Sequence, residues 1–181
     1  KLNYRPEIDG LRAIAVVSVI LYHAQITILN LSPFLGGFIG VDIFFVISGY
    51  LITSIILKEL ISTGTFSLKY FYERRIRRIL PALLLVIFVS FSLAWIYLVP
   101  DSFVNYAQSV LYSLGFTSNF YFDFIFLEYQ AEDSLLVPLL HTWSLSVEEQ
   151  YYILFPFFLL FIFKYFRKHI IFILVIGFLI S

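Results

Sequence analysis

The chain has 181 residues, of which 61% are hydrophobic and only 13% are charged. Soluble domains average about 45–50% apolar and about 25% charged residues, so this composition excludes a soluble globular protein. The formal net charge is zero, which excludes the basic field typical of nucleic-acid-binding proteins. The chain has no cysteine, and this excludes a disulfide framework and a thiolate metal site. The sequence therefore predicts an all-α, polytopic membrane helix bundle.

Five apolar runs are the candidate spans, because the ~30 Å hydrocarbon core needs about 20 helical residues. They cover residues 11–31, 38–57, 81–99, 143–163 and 170 onward. Between the second and third runs, Thr65–Leu80 carries a lysine and four arginines among aromatics, which predicts a separate helix in the membrane interface. Pro81 is then expected in the first turn of the third span, where its missing N–H does no harm.

The segment Phe103–Phe126 is apolar but interrupted by polar residues, so it is either re-entrant or spanning. Arginines cluster at the start of the chain and at 74–78, and both clusters are predicted to be cytoplasmic. The basic residues at 164–168 reach the same side only if Phe103–Phe126 does not cross, and this favours the re-entrant form. The chain begins without Met and stops inside an apolar run, so we expect it to be part of a longer protein.

Ionisable residues inside the spans are the candidates for chemistry, since they are costly in lipid and usually face a cavity. His23 lies eleven residues after Arg12, about three helical turns, so the two share a helix face. Asp42 opens the second span at a similar predicted depth and could pair with His23, as a general base requires. A neutral core histidine and a helix-capping aspartate remain the alternatives.

Two further groups of charged residues stand out. Arg74/Arg77 and Arg75/Arg78 are i, i+3 pairs that could bind phosphates, although lipid head-group anchoring is the alternative. Glu148 and Glu149 lie near the start of the 143–163 helix and point about 100° apart, so at most one readily faces a shared cavity. Ser144 and Ser146 are expected to cap this helix.

Four long motifs carry a family resemblance. They read YRPEIDGLRAIAV at 4–16, GVDIFFVISGYLI at 40–52, RRIRRILP at 74–81 and HTWSLSVEEQYY at 141–152. In these motifs and their order the chain resembles the membrane-bound acyltransferases of type 3, which include bacterial O-antigen, peptidoglycan and nodulation-factor O-acetyltransferases. The one departure is Tyr151, where the family usually has Phe.

The resemblance implies roles for individual residues. Arg12 and His23 match the family's Arg-x10-His motif, with the histidine as the catalytic residue. Arg75 and Arg78 match its Arg-x-x-Arg motif, with Arg74 in the overlapping pair. Glu148 matches the acidic residue of the span-opening motif. On this basis we expect His23, Arg12, Glu148 and Asp42 in catalysis and Arg75, Arg78 and Arg74 in binding acetyl-CoA, with no metal.

The resemblance also implies a whole-protein context. Family members have about ten spans, so this chain would be about the N-terminal half of the acyltransferase domain, and many carry a periplasmic hydrolase-like domain at the far C-terminus. The expected reaction moves acetyl from cytoplasmic acetyl-CoA to a hydroxyl of a surface glycan, across a bacterial inner membrane with the N-terminus in the cytoplasm. Membrane lipid is the other partner. The alternatives are a transporter with a buried proton relay and a non-catalytic scaffold.

Overall fold

The computed structural model describes residues 5–26, 33–128 and 137–180. The regular elements in these ranges are α-helices and 3₁₀ turns, and none of the described residues forms a strand. Two 3₁₀ turns, Leu35–Phe38 and Arg167–His169, precede α2 and α7. The α-helices are α1 (Pro6–His23), α2 (Ile39–Thr63), α3 (Leu68–Tyr97), α4 (Pro100–Leu114), α5 (Ser118–Glu128), α6 (Thr142–Tyr165) and α7 (Ile170–Ile180).

Within the described ranges, three helical segments are long and apolar enough to cross a membrane. They are Leu35–Thr63, which joins the first 3₁₀ turn to α2, Leu68–Tyr97 and Thr142–Tyr165, with mean hydropathies of 2.0, 2.6 and 1.3. Each exceeds the about 20 residues that the hydrocarbon core requires. The predicted all-α membrane fold class is confirmed.

Helix α1 differs from the predicted 11–31 span at both ends. It begins at Pro6, whose ring suits the first helical position, and it ends at His23. Gln25 then adopts a left-handed φ of 48°, which a continuing α-helix does not allow. Residues 27–31 of the predicted span lie outside the described residues. The apolar run was therefore a poor guide to the helix end, because hydropathy does not register backbone conformation.

Helix α2 continues past the predicted end at Leu57 to Thr63. It stops at Gly64, whose φ of 73° provides the left-handed C-cap that glycine adopts without steric cost. Lys58 and Glu59 thus lie within the helix. Charged residues mark where a helix leaves lipid, whereas a cap marks where it ends.

Helix α3 merges two predicted elements, the interfacial helix 65–80 and the span 81–99. It is a single helix of 30 residues with Pro81 in its interior, so the predicted break at Pro81 is wrong. The cap lies at Ser67 instead, where Oγ accepts a hydrogen bond from the Tyr70 N–H at 3.4 Å. Proline removes one hydrogen bond to the preceding turn, and the helix tolerates this loss.

The predicted segment Phe103–Phe126 consists of two helices, α4 and α5, separated by a turn at Gly115–Thr117. Phe116 in that turn has a φ of 52°. The helices have 15 and 11 residues, so each is shorter than the about 20 residues needed to cross the hydrocarbon core. Re-entry of the pair from one side of the membrane stays a prediction.

The chain divides into two compact units, unit 1 (Lys1–Phe66) and unit 2 (Ser67–Ser181). In unit 1, α1 and α2 pack antiparallel and close together. A Cβ on Gly40 would lie 2.5 Å from the Ala15 carbonyl oxygen, and one on Gly37 would overlap the Ser18 carbonyl oxygen. Glycine at these two positions is what allows the backbones to approach.

In unit 2, the described core has an apolar and a polar part. Leu83, Ile87, Ala94, Tyr106 and Leu139 form the apolar cluster. Beside it, hydroxyl groups join α4, α5 and α6: Ser113 and Thr142 are 2.8 Å apart, Thr142 donates to Ser118 at 3.0 Å, and Ser118 and Ser146 are 2.7 Å apart. Each buried hydroxyl therefore has a partner, as lipid surroundings require.

Candidate functional site

Arg12 and His23 lie on the same side of α1, as their spacing predicts. His23 is about 80° round the helix from Ala15, which contacts α2, so its ring is not part of the α1–α2 packing. The side chain of His23 is exposed. Arg12 is half-buried and lies 3.9 Å from Asp9, measured from Nη1 to Oδ1. Unit 1 thus presents both side chains on one face.

The main chain orients the imidazole of His23. Nδ1 lies 2.9 Å from the Val19 carbonyl oxygen, and a carbonyl can only accept, so Nδ1 carries the hydrogen. In the neutral ring Nε2 then has the free lone pair. The ring of Tyr22 contacts the imidazole edge-on, with 5.2 Å between centroids. His23 is therefore held in the tautomer that a base or nucleophile needs.

Asp42 does not take part in this arrangement. It lies about 200° round α2 from Gly40, which contacts α1, so its side chain points away from α1. The antiparallel register also places it about eight residues, or roughly 12 Å, along the axis from His23. Among the described residues, no hydrogen bond joins the two side chains. The predicted pairing is wrong, and the Val19 carbonyl occupies the orienting position.

The arginines of α3 have different surroundings. Arg75 is half-buried, and its guanidinium carbon lies 4.1 Å from the centroid of the Tyr152 ring on α6. Arg74 is exposed over Tyr70 at 4.2 Å, and Arg77 forms a 2.7 Å ion pair with Glu73. Of the two overlapping pairs, the one containing Arg75 is the pair that reaches another helix of unit 2.

Glu148 and Glu149 have different surroundings. Glu148 is half-buried and accepts a hydrogen bond from the Tyr152 hydroxyl. Glu149 is only 8% exposed, and within the described residues its Oε1 has no hydrogen-bond partner. The carboxylate of Glu149 interacts electrostatically with two charged side chains, Arg75 and Glu148. The prediction that the two carboxylates differ in direction holds, and the more deeply buried one is Glu149.

Ser144 and Ser146 do not cap α6, contrary to expectation. The N-cap is His141, which makes no side-chain capping bond. Ser144 donates to the His141 carbonyl at 3.1 Å, and Ser146 is buried against Ser118 of α5. Both positions lie inside the helix, since α6 begins at Thr142 and not at a serine.

The sequence reasoning missed Tyr152 and the buried position of Glu149. Both belong to the inward-facing stripe of α6, whose members recur every three or four residues. That stripe is Thr142, Ser146, Glu149, Tyr152, Pro156, Leu159 and Ile162. The spacing of these residues along the helix can be recognised in the sequence, but only the packing of the neighbouring helices shows that this stripe faces inward.

Two arginines of α3 are candidates for binding an anionic cofactor group. In the described part of the chain Arg75 and Arg78 form no ion pair, whereas Arg77 is bound to Glu73 and Arg74 lies exposed over Tyr70. Guanidinium N–H groups are well suited to phosphate oxygens. As for metals, no three His, Asp or Glu side chains come together as ligands in residues 5–26, 33–128 and 137–180.

Curated relatives match most of the chain. A Staphylococcus aureus (strain MSSA476) protein with a provisional O-acetyltransferase name is 44% identical over 156 residues, covering 86% of this chain and 25% of that protein. The peptidoglycan O-acetyltransferase OatA of Listeria monocytogenes is 42% identical over 168 residues, covering 92% and 26%. The O-acetyltransferase OatA of Staphylococcus aureus is 39% identical over 165 residues, covering 91% and 26%.

The chain thus spans about a quarter of the length of the curated relatives it matches. No solved structure matches it. The family model described as an acyltransferase domain matches residues 5–181, nearly the whole sequence. The four motifs, the membrane helices and this match agree, and the chain belongs to the acyltransferase 3 family.

Proposed function

We propose that the whole protein transfers acetyl groups to hydroxyls of a cell-surface glycan. The observation that carries the proposal is the 42% identity, over 92% of this chain, to a protein named peptidoglycan O-acetyltransferase. The names of the relatives favour peptidoglycan over O-antigen as the first acceptor to test. We place the protein in the bacterial inner membrane with the N-terminus of this chain in the cytoplasm.

In this proposal His23 is the general base. Its Nε2 lone pair takes the proton of the acceptor hydroxyl while the oxygen attacks the acetyl carbonyl, and the departing thiolate then receives a proton from the imidazolium. The Nδ1–H bond to Val19 holds the ring in the required tautomer. The same lone pair could instead accept the acetyl group transiently, and trapping of acetylated protein would distinguish the two routes.

The donor in this proposal is acetyl-CoA, with Arg75 and Arg78 holding its phosphates at the cytoplasmic end of α3. Two observations support the assignment. Neither arginine is in an ion pair within the described residues, and the guanidinium of Arg75 lies against the aromatic ring of Tyr152. Both guanidinium groups therefore keep N–H donors for a phosphate. Arg12 of unit 1 and Glu148 of unit 2 are also proposed to take part in catalysis.

The test of this function is acetyl transfer by the full-length protein. Membrane vesicles containing it would be supplied with isotopically labelled acetyl-CoA, and the surface glycan analysed by mass spectrometry. We expect label on glycan hydroxyls, and none in vesicles from a strain that lacks the gene. Equal labelling in both vesicle preparations would contradict the proposal.

The role of the arginines gives a more specific prediction. Replacing Arg75 and Arg78 by Lys should raise the KM for acetyl-CoA about tenfold or more, because lysine keeps the charge but loses bidentate phosphate binding. Membrane insertion should be unchanged, since the positive charges that set topology remain.

Arg74 and Arg77 provide the matched control for this variant. They belong to the same helix turns, but one is exposed over Tyr70 and the other is paired with Glu73. Replacing this pair by Lys should leave the KM within about twofold of wild type. Equal effects of the two double substitutions would mean that the cluster anchors the protein to lipid head groups and does not bind the donor.

A further inference from the structure

Tyr152 connects α3 and α6 of unit 2. Its side chain is 3% exposed, on the inward-facing stripe of α6. The Tyr72 hydroxyl of α3 donates to the carbonyl oxygens of Tyr152 and Ile153, at 3.4 and 2.9 Å. Those bonds use carbonyls of α6 as acceptors and hold the two helices together at this level. These hydrogen bonds therefore restrain the position of Tyr152 relative to α3.

The ring of Tyr152 supports the guanidinium of Arg75. The guanidinium carbon is 4.1 Å from the ring centroid, and Phe71 lies beside it at 5.7 Å. Contact with an aromatic face stabilises a cation without using its N–H groups. The arginine is thus restrained while its hydrogen-bond donors stay available for an anion.

The hydroxyl of Tyr152 contacts the second functional candidate. It donates to Oε1 of Glu148, four residues earlier on α6. One phenol ring therefore holds Arg75 by its face and Glu148 by its oxygen. The spacing in sequence between Arg75 and Glu148 gives no sign of this connection.

We propose that Tyr152 is a positioning residue that fixes the donor-binding Arg75 and the carboxylate of Glu148 in one site. The inference rests on the proposed function, in which Arg75 binds acetyl-CoA. The two contacts are separable by substitution. The ring face serves donor binding, and the hydroxyl serves the step that involves Glu148.

The experiment compares full-length variants in the vesicle assay with labelled acetyl-CoA. Tyr152→Leu removes the ring and should raise the KM for acetyl-CoA about tenfold, because Arg75 is half-buried and its cation–π contact is expected to be intermediate in strength between an exposed and a desolvated one. Tyr152→Phe keeps the ring and removes the hydroxyl, so the KM should stay within about twofold while kcat falls about tenfold. The neighbouring Tyr151, whose ring stacks on Phe155 at 4.6 Å, is the matched control, and Tyr151→Leu should change neither constant.

A coupling measurement tests the link to Arg75. In an Arg75→Lys background, Tyr152→Leu should add less than about threefold to the KM, because the contact that it removes is already altered. An unchanged KM in Tyr152→Leu, or effects that multiply in the double variant, would overturn the inference while leaving the function intact.

Two other outcomes also decide the matter. If Tyr152→Leu does not accumulate in the membrane, Tyr152→Phe alone is decisive, and wild-type kcat in that variant would overturn the role of the hydroxyl. If the wild-type protein shows no acetyl-CoA-dependent labelling, the proposed function fails and the inference fails with it.

Discussion

Replacing His23 by Ala is expected to reduce acetyl transfer at least about a hundredfold, the lower range for loss of a general base. The imidazole is exposed at the end of α1 and contributes to no buried core, so its removal should not unfold the helix pair. The hydrogen bond that is lost joins the ring to the carbonyl of Val19 within the same helix. Membrane insertion and protein level should therefore match wild type. The measurement is the amount of acetyl on surface glycan in cells that express the variant as the only copy.

The chain offers a matched control for this substitution. His169 lies in the 3₁₀ turn Arg167–His169, beside a basic cluster and outside the proposed site. His169→Ala removes the same side chain and should leave acetylation within about twofold of wild type. Wild-type acetylation in the His23→Ala variant would remove His23 from the mechanism, whatever the control shows.

The second large effect is expected from Gly37→Ala in the α1–α2 contact. The new Cβ would overlap the backbone carbonyl oxygen of Ser18 and lie 2.8 Å from the Tyr22 Cβ. A backbone atom cannot rotate away as a side chain can, so α1 must separate from the 3₁₀ turn that leads into α2. Overpacking of this kind costs about 1–3 kcal/mol, and a displacement of about 1 Å at a catalytic group can cost about a hundredfold in rate. His23 directly follows Tyr22, so activity should fall together with thermal stability in detergent.

Gly36→Ala is the control for the packing argument. Gly36 precedes Gly37 in the same 3₁₀ turn, and a Cβ there would meet no atom within 4 Å. Its melting temperature and activity should be those of wild type. If both alanine variants behaved alike, the close approach of the two helices would not be what holds His23 in place.

Arg75 and Glu149 show why the site was only partly predictable. The periodicity of a helix gives the angle between two side chains, and it correctly separated Arg74 from Arg75 and Glu148 from Glu149. It does not say which of the two directions meets a neighbouring helix. Contact with Tyr152 distinguishes Arg75, and burial at 8% exposure distinguishes Glu149. These are consequences of how α3 and α6 pack.

Asp42 and Pro81 show that the sequence was also a poor guide to the depth of a side chain in the membrane and to the boundary of a helix. Depth along a span was judged from hydropathy, which placed Asp42 near His23, whereas the glycine contacts set a register that moves it roughly 12 Å away. Pro81 was taken as a helix start, yet Ser67 caps a helix that continues through it. Hydropathy indicates where a chain enters and leaves lipid, whereas hydrogen bonds and caps determine where a helix begins and ends.

Composition and motifs alone determined the membrane class, the helical spans in outline, the acyltransferase family and the alignment of Arg12 with His23. They could do so because lipid selects long apolar helices and because the angle between residues on one helix is a property of the chain itself. Only the tertiary structure decided that Asp42 points away from α1 and that Tyr152 joins Arg75 to Glu148. Each of these depends on the register and rotation of one helix against another. Those quantities are set by close packing at a few positions, such as Gly37 and Gly40, and they have no local signature in the sequence.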